Sequence, residues 1–254
     1  DIYRGLLQEQ TIQGLTPKDV YRLGLREVDR ITKKLHELRK RMKFRGSLQE
    51  FYKHYNQPFQ SGDQVLEKSK KIQKEIYRTI YKRYFDGSLR ESDLASIQRV
   101  SDKKSRMYAF YIGTKRRGTY YVNTNRPETL NQHELMTLTL HETIPGHHLQ
   151  LMTHNRSKKL PLYVQRMNNT GFVEGWGLYC ENFTDLHTDK EMICKYQMEL
   201  QRAVRLVVDT GINAFKWSYK KSFDYMHKHL DYTDEVIRNE IIRYICTPSQ
   251  ALSY

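Results

Sequence analysis

Residues 15–42 read "LTPKDVYRLGLREVDRITKKLHELRKRM", with Val20, Leu23, Val28, Ile31, Leu35, Leu38 and Met42 recurring at approximately helical spacing. The segment also carries its own start signal. Thr16 suits the N-cap, Pro17 the first helical position, and Asp19 the positive end of the helix dipole. A long amphipathic helix needs other elements to cover its apolar stripe. Further helices are expected around "SLQEFYKHYN", over 63–84, and over 174–186, 190–208, 214–229 and 233–245. Against this background "RMYAFYIGTKRRGTYYVNT" stands out. It is aromatic and β-branched, and Gly113 and Gly118 bracket a basic turn, which predicts a β-hairpin.

The expected architecture is therefore mainly α with a small hairpin or sheet. With 254 residues and 12% aromatics, including 19 Tyr, the chain can bury a core. No repeat or flexible linker divides it, so 1–254 is expected as one domain. Within it, 1–100 reads as helical scaffold and 101–254 as the part carrying chemistry. No run approaches the roughly 18 apolar residues that span a bilayer. Asp1 opens a polar segment without a signal peptide, and a start at Asp is compatible with an earlier cut. Cys180, Cys194 and Cys246 are odd in number and form no CxxC pair, which favours free thiols in a reducing compartment. The formal net charge of +14 favours acidic partners. Yet the charge is spread along "KKLHELRKRMKFR" and "KSKKIQKEIYRTIYKRYF", and no nucleic-acid motif accompanies it. A solvated basic face is the simpler explanation, and nucleic acid the weaker one.

The chemistry concentrates in "TLHETIPGHHLQ", residues 139–150. A hydrolytic zinc centre needs about three protein ligands, an open position, and a base beside it. His141 and Glu142 sit near the end of "QHELMTLTLHETI", a helix that Asn131 could cap. A second histidine four residues on would share the face of His141, but that position is Pro145. His147, at i+6, would lie about 240° round an unbroken helix, on the wrong side. Pro145 withdraws a backbone donor and crowds the carbonyl of His141, and Gly146 permits backbone angles other residues resist. An interruption there can swing His147 back. His148 is the rival second ligand. Downstream, "GFVEGWGLYCEN" holds Glu174 and Glu181 seven apart, on one helical face. Glu174 suits a third ligand; otherwise it is a helix-starting carboxylate and Glu181 a solvated one.

"HETIPGHHLQ", "FVEGWGLYCE", "RAVRLVVDTGI" and "EIIRYICTPSQALSY" occur in that order, and weaker similarity reaches back through "YYVNTNRP" to "LTPKDVYRLGLREVDRI". In these blocks the chain resembles domain-of-unknown-function family 885. Its members look like gluzincin-type zinc metallopeptidases, distantly similar to angiotensin-converting enzyme and the oligopeptidases.

The resemblance implies a zincin-like helical domain with the sheet beside the active-site helix. It implies zinc held by His141, His147 and Glu174, with Glu142 as the general base of peptide hydrolysis. Glu181 and Asp209 would orient a ligand histidine through its free ring N–H. "YYVNT" would be the edge strand against which a peptide substrate lies. His148, Asn213, Arg243, Tyr244 and Gln250 would face the substrate, and Tyr254 would offer its hydroxyl to the developing oxyanion. The basic charge would favour acidic peptides. An alternative, favoured by Asn213, the apparent truncation and the net charge, is a catalytically idle descendant that binds through its basic surface. Three departures from the family's pattern matter. The family's histidine after "DTGI" is Asn213, its "PGQA" glycine is Ser249, and members usually extend further at both ends.

Overall fold

In a computed structural model of the protein, the described residues are 2–12, 14–85, 87–105, 107–113, 117–157, 159–166 and 169–254. The helices are α1 (Ile2–Gln10), α2 (Pro17–Arg41), α3 (Leu48–Tyr55), α4 (Gly62–Ile76) and α5 (Lys82–Tyr84), the last two joined by a π turn, Tyr77–Tyr81. After the sheet come α6 (Leu135–Glu142), α7 (His147–Arg156), α8 (Leu162–Arg166) and α9 (Thr170–Cys180). The chain continues through α10 (Asp189–Phe215), α11 (Tyr219–His229) and α12 (Asp234–Cys246). The described residues are mainly helical with one small sheet. Among the described residues, no helix is long and apolar enough to cross a membrane.

The chain divides into two compact units that interleave in sequence. One comprises Asp1–His54, Asn169–Gly175 and Lys195–Tyr254; the other comprises Tyr55–Asn168 and Trp176–Cys194. Neither has a boundary near residue 100, where the sequence changes texture.

In the first unit, α2 begins as its sequence demands. Thr16 N–H donates to Asp19 Oδ2 (3.0 Å), and Asp19 N–H donates back to Thr16 Oγ1 (3.2 Å). Its buried stripe is Val20, Gly24, Val28, Ile31, Leu35 and Leu38. Leu23, expected in that stripe, is exposed. The reason is Gly24: a Cβ there would come within 2.8 Å of Leu206 and Val207, so this glycine, not Leu23, faces α10. Helix α10 does not stop near residue 208; it runs on through "DTGINAF" to Phe215.

The second unit holds a three-stranded sheet of β1 (Ser96–Arg99), β2 (Ala109–Gly113) and β3 (Gly118–Val122), in the order β1-β3-β2. The expected hairpin is present, with β2 antiparallel to β3 and Gly113 opposite Gly118; residues 114–116 of its basic turn lie outside the described residues. Strand β1 runs parallel to β3, from Ser96 opposite Thr119 to Arg99 opposite Val122. It falls inside residues 1–100, read from the sequence as helical scaffold. The expectation that "YYVNT" is an edge strand is also overturned. β3 is paired on both sides, so residues 120–122 have no free edge for a peptide. Tyr120 and Val122 are instead buried with Val65, Ile72 and Ile76 of α4 and with Leu135 and Leu140 of α6. This packing sets α6 against the sheet, and α6 carries the first histidine.

Candidate metal centre

Helix α6 is buried nearly all round and ends at Glu142. Asn131 does not cap it. Its Oδ1 accepts the N–H groups of Gln57 (3.3 Å) and His133 (3.1 Å), and Glu134 holds the cap position without a side-chain bond. At the other end, the Thr143 hydroxyl donates to the Thr139 carbonyl (2.6 Å), and Gly146 N–H reaches back to the Leu140 carbonyl (3.1 Å). Residues 143–146 break the helix, with a cis bond between Ile144 and Pro145, and His147 opens α7.

Gly146 is needed for space, although it has no positive φ. Its φ is −69°, but a Cβ would sit 1.9 Å from the His141 carbonyl oxygen and 2.3 Å from that of Leu140. The interruption thus folds tightly over the end of α6. It sets the His141 and His147 rings 4.6 Å apart, nearly perpendicular at 82°. Trp176 fixes the connection from α9 by donating its indole N–H to the Pro145 carbonyl (2.8 Å).

Helix α9 supplies the rest. Glu174, Gly177 and Glu181 follow at i, i+3 and i+7, on one side of the helix and its last turn. Gly177 lies flat against His141: a Cβ there would come within 2.5–2.8 Å of three ring atoms. Glu181 Oε1 lies 2.8 Å from His141 Nδ1, and both side chains are buried, at 0% and 6% exposure. A neutral His141 therefore donates from Nδ1 and presents the Nε2 lone pair. Ligand atoms of His141, His147 and Glu174 all lie within 4.8 Å of one another, the two histidines buried and Glu174 partly so. Two imidazoles and a carboxylate are a donor set that suits zinc and leaves a fourth position open. These residues fit the metal that the resemblance implies.

Glu142 is 7% exposed and adjacent to His141. The Tyr120 phenol is raised well above its ordinary range, first by burial and then by the charge of Glu142. His148 stands outside the cluster. Its Nε2 lies 2.7 Å from the Asp93 carbonyl and its Nδ1 2.9 Å from the Tyr111 hydroxyl, so both nitrogens are engaged.

The remaining candidates gather within the first unit. Asp209 is not on a histidine: it accepts from the Tyr3 hydroxyl (2.6 Å) and from Ser249 N–H (3.2 Å to each oxygen). Asn213 donates to the backbone carbonyls of Asp209 and Tyr244 (both 3.1 Å). Arg243 pairs with Glu240 (2.9 Å) and contacts Gln250 Oε1 (3.4 Å), while the buried Tyr244 donates to the same Glu240 (2.7 Å). These side chains tie α10, α12 and the residues after α12 together. Tyr254 lies under the guanidiniums of Arg202 and Arg205, 5.2 and 5.5 Å from its ring centre. Its phenol is raised by burial and then by the charge of Glu174.

Sequence reasoning missed Gly177, Trp176, Tyr111 and Asp93. Gly177 had a signal, since a glycine three residues after Glu174 shares its face. The carbonyl of Asp93 had none, because a backbone group leaves no trace in side-chain pattern.

The fold is shared with solved structures. Over its whole length the chain matches "the putative lipoprotein from Colwellia psychrerythraea" with a TM-score of 0.88 at 23% identity, covering 46% of that chain. It likewise matches "a putative lipoprotein of unknown function from Shewanella oneidensis" with a TM-score of 0.83 at 16% identity, covering 50% of that chain. The chain thus spans about half the length of these structures. No curated protein matches it. The model of one family covers residues 1–254 in full, and the chain belongs to it: the bacterial proteins of unknown function called DUF885.

Proposed function

We propose that this protein is a zinc-dependent peptidase, with His141, His147 and Glu174 as ligands and Glu142 as general base. The observation that carries the proposal is the convergence of those three ligand atoms within 4.8 Å. The 2.8 Å contact from Glu181 to His141 Nδ1 adds to it. Bound zinc would supply a Lewis acid that polarises a carbonyl and eases the ionisation of water.

The chain's own residues do the rest. Glu181 holds His141 in the tautomer whose Nε2 can bind a metal. Glu142 takes a proton on its carboxylate and returns it to the departing amine. Tyr254 keeps its phenolic proton, because burial and the Glu174 charge both oppose ionisation, and so remains a donor. The formal net charge of +14 would favour substrates carrying negative charge.

The test is turnover of a peptide library by the zinc-loaded protein and its Glu142→Gln variant. Loss of hydrolysis with metal content retained supports the base role; unchanged hydrolysis removes Glu142 from it. A second reading keeps the metal and drops the turnover. It draws on Asn213, whose amide donates to two backbone carbonyls instead of offering the histidine chemistry of the family. Zinc uptake without hydrolysis of any peptide would favour it.

A further inference from the structure

Gly113 and Gly118 bracket the β2–β3 turn, yet neither has a positive φ, so turn geometry does not explain them. What both do is clear room for Tyr111. A Cβ on Gly118 would lie 1.7 Å from the Tyr111 hydroxyl oxygen, and one on Gly113 would lie 2.9 Å from the Tyr111 ring. The cleared space lets the hydroxyl reach His148 Nδ1 at 2.9 Å.

The direction of that bond is fixed by chemistry. The other nitrogen of His148, Nε2, faces the Asp93 carbonyl at 2.7 Å, and a carbonyl can only accept. Nε2 therefore carries the proton in the neutral ring, Nδ1 accepts, and Tyr111 donates. The His148 ring, 1% exposed, is clamped at both nitrogens by two different parts of the chain: strand β2 and the turn Glu91–Asp93.

His147 is the residue immediately before this clamp, at the first position of α7. No side chain caps that helix start. Backbone bonds hold the first turn, from His148 N–H (3.0 Å) and Leu149 N–H (3.4 Å) to the Thr143 carbonyl and from Gln150 N–H to the Gly146 carbonyl (3.0 Å), and the clamp on His148 adds the side-chain restraint beside His147.

We infer that Tyr111 is a positioning residue for His147, acting through the clamped ring of His148. This inference rests on the zinc reading above. Partners one step removed from a metal ligand typically change affinity about 10–100-fold when removed, and the bond here acts one residue further away.

The experiment measures zinc affinity by competition with a chromophoric chelator, and in parallel the melting of the metal-free protein. Tyr111→Phe removes the donor, and His148→Phe removes the acceptor, together with the N–H given to the Asp93 carbonyl. Each is expected to weaken zinc about tenfold. The double variant should be no weaker than the worse single, because both changes break one bond. A purely structural bond would lower the metal-free melting temperature and leave zinc affinity at the wild-type value. That result overturns the inference, as do losses that add in the double variant. A wild-type protein that takes up no zinc overturns the zinc reading and this inference together.

Discussion

The carboxylate of Glu181 lies 2.8 Å from Nδ1 of His141, with neither group open to solvent. Exchanging Glu181 for Gln keeps an acceptor of the same reach but removes its charge. Zinc affinity should fall 10–100-fold, with the fold intact by circular dichroism. Unchanged affinity would mean that Glu181 only fills space.

Gly177 carries a separate prediction. A methyl group there would meet the His141 ring at 2.5–2.8 Å, well inside van der Waals contact. The helix itself would welcome alanine, which outranks glycine by about 1 kcal/mol in a helix interior. Gly177→Ala should nevertheless destabilise the protein by about 1–3 kcal/mol in denaturant titration, because the ring or α9 must shift. Metal content should fall with it. A stabilised variant would show that the close approach of α9 to His141 is absent in solution.

Asp209 predicts a pH dependence. Burial pushes its carboxyl up to about 6 from 3.8, although hydrogen bonds from Tyr3 and Ser249 oppose the rise. Between those values the folded state binds the proton more tightly than the unfolded chain. Stability from this group is therefore complete below about pH 4 and is lost as pH rises through about 6. The loss is on the order of 2–3 kcal/mol. Asp209→Asn should flatten that part of the stability profile, measured as the wild-type-minus-variant difference between pH 4 and pH 7. A difference that does not change with pH contradicts the account.

Ser249 occupies the left-handed region at φ 70°, where a side chain is strained. Ser249→Gly, which removes the side chain from that conformation, should stabilise the protein by about 0.5–1 kcal/mol. A rise in denaturation midpoint with an unchanged slope would bear this out; a fall would show that the buried Ser249 side chain contributes more than its backbone strain costs.

Much of the fold was legible where physical signals are local. The start of α2 is written in Thr16, Pro17 and Asp19, and the hairpin in its aromatic strands and paired glycines. The helix break at 143–146 follows from Pro145 and Gly146, although Gly146 serves close approach rather than a special φ. What failed to show depends on distant pairing. Strand β1 is four residues long, too short for a periodic signal beside helical neighbours. That β3 is central cannot be read from β3 alone, because strand order belongs to the sheet. Likewise, "DTGINAF" looks like a helix end, yet Gly211 is accommodated because Trp217 packs where its Cβ would stand. At the site, His141, His147 and Glu174 come together as their spacing allowed, whereas Asp209 and Asn213 turned to bonds with Tyr3 of α1, within α10, and with α12 and the residues beyond, invisible to any motif.

The most direct measurement is zinc content by mass spectrometry of the wild type, His141→Ala and Glu174→Ala, each shown to be folded. The account predicts about one zinc per wild-type chain and its loss in both variants. A folded wild type that holds no metal after zinc is supplied at neutral pH would contradict it.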